Sequence, residues 1–292
     1  MNDKQQILLR EMGYTLWQLR QSASGNVPKT SPVENTFSAP EPAHAVLPTS
    51  HPVSVREEGG KPVSHAPPQA EGGHTPGTSV KTPPAAMSPA VARVARIAQM
   101  DWDSLTQAVQ DCQACELCKR RQQAVPGVGD RAADWLFIGE GPGAEEDARG
   151  EPFVGQAGKL LDAMLAAIGL KRGENVYIAN AVKCRPEGNR TPHAEEIALC
   201  RPFLLRQIEL LQPRLMVLLG KAAVHSVLGE DKSLASLRQK RFTHGEIPVV
   251  VTYHPAYLLR SLPEKGLPEK AKAWEDLCFA RRTFLSARTP PM

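Results

Sequence analysis

Long apolar runs, aromatic residues and a surplus of one charge are all scarce in this chain of 292 residues. No stretch approaches the roughly 18 consecutive apolar residues that a membrane-spanning helix needs, which excludes a protein threaded through a bilayer by helices. The N-terminus carries acids and an interrupted apolar pattern, so it does not read as a secretory signal, and the chain is expected in the cytoplasm. Net charge is only +4, and from residue 101 onward 26 basic side chains face 24 acidic ones. That balance does not mark a polycation. Local basic clusters at 119–121, 238–241 and 281–282 point to nucleic acid only weakly, because charge runs usually form solvated faces.

The scarcity of aromatics is uneven. Between residues 22 and 98 Phe37 is the only one, while 13 of the 26 prolines crowd into the same stretch. Serine, threonine and glycine fill the remainder without helical or strand periodicity. Such a segment buries too little apolar surface to offset its chain entropy, and it reads as a disordered linker. Its histidines (His44, His51, His65, His74) are irregularly spaced, which favours a solvated tract over a metal site. Three zones result: an amphipathic segment at 1–21, the linker at 22–98, and a dense domain at about 101–288.

In the dense domain strand-like runs alternate with helical ones. "WLFIG" (135–139) precedes "AGKLLDAMLAAIGL" (157–170), and "VYIAN" (176–180) precedes a helix expected over 193–211. For that helix Thr191 reads as the N-cap and Pro192 as the first helical residue. "RLMVLLG" (214–220) precedes "KAAVHSVLG", and "IPVVVTYHP" (247–255) precedes a short helix and a long one near 268–286. Apolar strands separated by helices imply an α/β fold, a mainly parallel central sheet with helices on both faces. Ligands of such sheets gather outside the carboxyl ends of the strands. The suspicious turns all fall there: residues 140–143, 180–184, Gly220 and His254-Pro255.

The first of these turns, in "WLFIGEGPGAEED" (135–147), ends a buried strand in glycines and then a block of acids. Glycine permits close backbone approach and positive φ, so a ligand could be admitted there, although a purely structural turn would read the same way. Five of the six cysteines lie between Cys112 and Cys200: three in "CQACELC" (Cys112, Cys115, Cys118), then Cys184 and Cys200. In a cytoplasmic protein disulfides are disfavoured, so clustered thiols suggest metal. Four thiolates close either a tetrahedral zinc site or an iron–sulfur cluster, and the spacing leaves both open.

"GEGPGAEED", "GEPFVGQAGKLL", "NAVKCRPEGNRTP" and "HPAYLLR" occur in this order, with the cysteines around them. Together they resemble the iron–sulfur (family 4) uracil-DNA glycosylases, over about residues 109–287 and not before. The resemblance implies a [4Fe–4S] cluster on Cys112, Cys115, Cys184 and Cys200, with zinc as the alternative and Cys118 and Cys278 as spare thiols. It implies a DNA-repair hydrolase that flips uracil out of single- or double-stranded DNA, cuts its N-glycosidic bond and leaves an abasic site. The transition state is oxocarbenium-like and the leaving group is a uracil anion, so donors aimed at the base oxygens matter most.

The family's roles fall on particular residues here. Phe153 would stack on the flipped base, where otherwise it would be a core aromatic. Asn180 would read O4 and N3–H with its amide, where otherwise it would cap the turn. His254 would donate to O2 as charge accumulates. Glu140 would position water or stabilise the sugar cation, with Gly141 and Gly143 shaping the approach; the better-known uracil glycosylases have an aspartate where Gly141 stands. Glu146 and Asp147 would shape the pocket near uracil C5, or simply form a helix's acidic first turn. Leu258 or Leu259 would wedge into the vacated stack and Arg260 would hold a phosphate. Glu151 stands where the family often has a basic residue.

Other readings are a glycosylase for another deaminated base such as hypoxanthine, and a non-catalytic iron–sulfur adaptor. The protein is expected to act as a monomer. Residues 5–20, "QQILLREMGYTLWQLR", are similar to the N-terminal peptide of the psi subunit of DNA polymerase III, and "QQILL" distantly echoes a sliding-clamp peptide. That resemblance implies a tether at 1–21 to clamp loader or clamp.

Overall fold

A computed structural model of the chain describes residues 88–260 and 263–286. The tether expected at 1–21 and the linker up to residue 87 lie outside the described residues. The linker's last turn does not hold as drawn. Residues Pro89–Ile97 form a helix, α1. Ser88 caps it, its hydroxyl accepting from the Val91 N–H at 3.4 Å, and Pro89 occupies the first turn, where its missing N–H costs nothing. The helix commits a single apolar residue, Ile97, to the core, while Val91 and Val94 are exposed.

A second short helix, α2 (Trp102–Gln110), leads through a 3-10 turn (Glu116–Lys119) into a six-stranded sheet. The strands are β1 (Val128–Gly129), β2 (Trp135–Gly139), β3 (Val176–Asn180), β4 (Leu215–Leu219), β5 (Phe242–His244) and β6 (Ile247–Thr252), in the order β1-β3-β2-β4-β6-β5. β3, β2, β4 and β6 run parallel, as expected, and the two short edge strands run antiparallel to them. Every residue of β2, β3 and β4 is buried. A sheet buried on both faces needs apolar side chains pointing both ways, and alternation along β2 provides them. Phe137 joins Leu161, Val217 and Leu277 on one face, while Ile138 joins Leu204, Leu218 and Val251 on the other. Each such side chain contributes about 1.5 to 3 kcal/mol by leaving water.

The helices between strands are α3 (Ala144–Arg149), α4 (Gln156–Ala167), α5 (Ala194–Leu211), α6 (Lys221–Leu228) and α7 (Leu234–Leu237), and α8 (Pro255–Arg260) and α9 (Pro263–Ser286) follow the last strand. Two expected boundaries shift. The N-cap of α5 is His193 rather than Thr191, because the Glu196 carboxylate reaches back to the His193 N–H at 2.8 Å and fixes the start there. The last helix begins at Pro263 and carries Pro268 inside it, so that proline does not mark its start.

Register decides where the functional residues meet. Gly139 pairs with Asn180 across β2 and β3, and Leu219 pairs with Thr252 across β4 and β6. The carboxyl ends of the parallel strands are therefore aligned, and the turns that follow them share one rim.

Candidate functional site

A cavity of about 580 Å³ opens on that rim, lined among others by Glu140, Gly141, Phe153, Asn180, His254 and Arg260. Asn180, the last residue of β3, is 2% exposed. Its carbonyl accepts from Lys183 Nζ at 2.9 Å, and its side-chain Oδ1 has no partner among the described residues. His254 follows β6 by two positions. Its Nδ1 accepts from the Ala256 N–H at 3.1 Å, which puts the imidazole proton on Nε2. That Nε2 is also without a partner among the described residues. Burial, with the Arg260 charge adding to it, pushes the His254 pKa down to about 4, so the ring is neutral at physiological pH. The site thus holds an unpaired acceptor and an unpaired donor. Each is costly in an empty protein, of order 1 to 3 kcal/mol, unless a ligand supplies the complement.

The Phe153 ring stacks on the His254 ring, with centroids 5.3 Å apart and planes 28° apart. Gly139 makes room for this arrangement. A Cβ there would lie 2.5 Å from both Phe153 Cζ and Asn180 Oδ1. None of Gly139, Gly141 and Gly143 has a positive φ, so close approach, and not the left-handed region, is what the glycines of this turn provide. Burial raises the Glu140 carboxyl above its usual pKa of 4.5, and Arg260 pulls it partly back.

The acids after the turn behave differently from one another. Glu146 lines the cavity, but its carboxylate is occupied by backbone. Oε2 accepts from the Gly143 N–H at 3.0 Å, and Oε1 accepts from the Val154 and Gly155 N–H groups at 2.9 and 3.0 Å. Asp147 is not among the cavity's lining residues; buried, it accepts from the Gln122 and Gln123 N–H groups at 2.9 and 3.4 Å. Pocket shaping near a base is thus a role that Asp147 does not have directly.

Leu258 requires a correction. It is 1% exposed and packs in the core cluster of Phe137 and Leu161, so it is not available to wedge into DNA. α8 presents its neighbours instead: Leu259 and Tyr257 are 45% and 44% exposed, and Arg260 is exposed at the cavity edge. Several members of the basic clusters are engaged within the protein. Arg238 bonds Asp276 at 2.6 Å with its side chain 10% exposed, and Arg121 donates to Cys184 Sγ at 2.9 Å. Lys119 and Arg120 pair with Glu116 and Glu187.

Away from this cavity, Cys112, Cys115, Cys118, Cys184 and Cys200 line a second, smaller one, together with Val109 and Phe203. Its sulfurs receive donors. Arg121 bonds Cys184, the Lys183 N–H lies 3.3 Å from Cys200 Sγ, and Arg93 of α1 lies 3.7 Å from Cys112 Sγ. Among the described residues no group of three cysteine, histidine or carboxylate side chains is arranged to hold a single metal ion. Cys278 lies apart on α9.

Several site residues carried no signal of their own in the sequence. Lys183 is fully buried, donating to Asn180 O and, at 2.6 Å, to Gln207 Oε1, and burial lowers its pKa to about 8. A lysine in a polar turn gives no hint of this. Arg190, also on the cavity wall, is held by Glu196 through two bonds of 2.9 and 2.7 Å.

Fold and site together define a doubly wound α/β protein with a ligand cavity at its strand ends and a separate cage of thiols. Comparison with known proteins gives the family. A family model, the uracil DNA glycosylase superfamily, matches residues 126–278, and the chain belongs to that superfamily. It is 45% identical over 159 residues to the type-4 uracil-DNA glycosylase of Thermotoga maritima, a match covering 54% of this chain and 82% of that protein. It is 41% identical over 165 residues to the type-4 enzyme of Archaeoglobus fulgidus, covering 54% and 82%. A type-5 uracil-DNA glycosylase of Pyrobaculum aerophilum is 34% identical over 154 residues, covering 46% of this chain and 66% of that protein. The family match begins at residue 126 and lends no support to the psi-subunit resemblance of residues 5–20. No described helix is long and apolar enough to cross a membrane.

Proposed function

We propose that this protein is a uracil-DNA glycosylase of the type-4 kind, a repair hydrolase that cuts the N-glycosidic bond of uracil and leaves an abasic site. One observation carries the reading: an unpaired buried acceptor, Asn180 Oδ1, and an unpaired buried donor, His254 Nε2–H, share a cavity with an aromatic ring. Uracil offers the complement, an N3–H donor and carbonyl oxygens around a flat base. Cytosine has an acceptor at N3, so against Asn180 Oδ1 it would place two acceptors together.

The chemistry follows from those roles. The extruded base stacks on Phe153 while Asn180 Oδ1 accepts from N3–H. As the glycosidic bond stretches, negative charge gathers on O2, and the neutral imidazole of His254 donates to it through Nε2. A donor held ready in a dry site is worth on the order of 3 to 4 kcal/mol of transition-state stabilisation. A neutral ring serves because the proton stays on the protein, with the Ala256 N–H holding the other nitrogen. Glu140, as its carboxylate, would serve the sugar side, where positive charge develops and water arrives. Arg260, exposed at the cavity edge, takes a backbone phosphate, and Leu259 fills the gap left by the base.

Cys112, Cys115, Cys184 and Cys200 would hold a [4Fe–4S] cluster. Zinc needs four ligands converging at about 2.3 Å on one point. The hydrogen bonds that Cys184 and Cys200 receive suit thiolates, which either group requires, and the resemblance to the type-4 enzymes favours the cluster over zinc. When bound, the group ties the segment of Cys112 and Cys115 to the turn after β3 and to α5.

The test incubates the purified full chain with oligonucleotides carrying one uracil, hypoxanthine, thymine or cytosine, then treats them with alkali. Strand breakage at uracil is expected. None at uracil, with iron bound, would overturn the proposal, and breakage at hypoxanthine alone would reassign the base.

A further inference from the structure

We infer that Arg172 is a positioning residue that holds Phe153 in place beneath the base, an inference that rests on the uracil reading of the cavity. Phe153 has a φ of +56°, a left-handed backbone conformation that a bulky side chain adopts only when its surroundings impose it. Those surroundings are visible. The Arg172 guanidinium donates through Nη1 to the Pro152 carbonyl at 2.9 Å and through Nη2 to the Phe153 carbonyl at 2.8 Å. Its Nε donates to Asp162 of α4 at 2.9 Å, which orients the fork. From the other side, Glu146 takes the next two N–H groups, those of Val154 and Gly155. Each of the four consecutive residues 152–155 therefore has one backbone group gripped by one of two charged side chains.

The neighbouring helix closes the remaining exit. A Cβ on Gly158 would stand 1.8 Å from the Phe153 carbonyl oxygen, so α4 lies directly against the strained residue. With the backbone fixed this way, the Phe153 ring is directed onto His254. Without Arg172, two carbonyls lose their donors, Phe153 relaxes toward an ordinary φ, and the ring leaves the position that the base and His254 share. Arg172 touches none of the reacting atoms, and its side chain is 25% exposed. Its fork geometry is what matters, since a lysine's single ammonium group cannot span both carbonyls as a planar pair of N–H groups does.

The experiment is a double-substitution cycle on the full chain, with Arg172→Ala, Phe153→Ala and both together. Arg172→Ala should lower kcat/KM on uracil DNA about tenfold or more, since misplacing a group by about 1 Å costs up to 10²-fold. Affinity for undamaged DNA should stay unchanged. In the Phe153→Ala background the same substitution should add less than about twofold, because the two act through one ring. Arg172→Lys, which keeps charge and bulk, should recover only part of the loss. NMR adds a readout independent of activity: the His254 imidazole signal, shifted by the Phe153 ring current, should move in Arg172→Ala toward its position in Phe153→Ala. An unmoved His254 signal, or equal losses in both backgrounds, would overturn the inference. An inactive wild type that shows the His254 shift would instead count against the uracil reading alone.

Discussion

The base cavity and the thiol cavity hang from the same few residues of chain after β3, yet they are built in opposite ways. Asn180 ends the strand with a side-chain oxygen left unpaired, and across the rim His254 leaves its Nε2–H unpaired. Four residues on, Cys184 receives a hydrogen bond from Arg121, and Cys200 receives one from the Lys183 backbone. Lys183 links the two, its N–H toward Cys200 and its ammonium on the Asn180 carbonyl. The difference separates two kinds of binding. A site for a ligand that comes and goes keeps its polar atoms open and accepts the cost until the ligand arrives. A site for a permanent group surrounds its ligand atoms with donors, and its binding energy becomes part of folding.

Removing the open donor should break the contrast most sharply. His254→Ala should slow single-turnover cleavage of uracil DNA by about 10²- to 10³-fold, the usual cost of one preorganised donor. Binding to undamaged DNA and thermal melting should barely change. If binding fell as far as the rate, His254 would be a structural residue.

The thiol side should respond in the opposite sense, with stability going first. Cys200→Ser should lose most of its iron, its absorbance near 400 nm and much of its soluble yield, because metal binding and folding are coupled. Cys118→Ser should retain its iron although Cys118 lines the same cavity. Iron and sulfide analysis of the two variants decides the ligand set, and equal losses would count Cys118 among the ligands.

The pH profile sharpens the comparison on the cavity side. Burial holds the Glu140 carboxyl above 4.5, whereas His254 protonates only near 4. A carboxylate that must be ionised works above its pKa, so as pH falls the rate should first drop at a value above 4.5, where Glu140 takes up a proton. Arg260 opposes the shift, so Arg260→Ala should move this limb to higher pH, and Glu140→Gln should abolish it. A limb that ignores both substitutions would remove Glu140 from the chemistry. The smallest effect is expected from Leu259→Ala: a few-fold loss on double-stranded uracil DNA and none on single strands, where no stack has to be held open. Equal losses on both substrates would deny Leu259 a wedging role.

Much of this is legible in the sequence. Strand and helix alternation, the parallel sheet and the strand-end location of Glu140, Asn180 and His254 follow from apolar period and turn residues, which act over a few positions. The family resemblance implied that Cys112, Cys115, Cys184 and Cys200 come together; in the structure they line one cavity with Cys118, which it had left as spare. Helix α1 escaped because the Pro-rich, aromatic-poor composition before it was extended to residue 98, across the helical spacing of Val91, Val94 and Ile97.

What the tertiary structure alone decided concerns partners far apart in the chain. Leu258 and Leu259 are neighbours of one type, and only the packing of α8 puts the first in the core and the second in solvent. For Glu146 the sequence left pocket shaping and a helix's acidic first turn both open; it stands in the first turn of α3, with its oxygens taken by backbone N–H groups up to nine residues away. Arg172 meets the Phe153 carbonyl 19 residues upstream, and Lys183 meets Gln207 24 residues downstream. No local pattern records such bonds, because they form only once the sheet has brought the segments together, and burial then fixes which polar atoms find partners and which are left for a ligand.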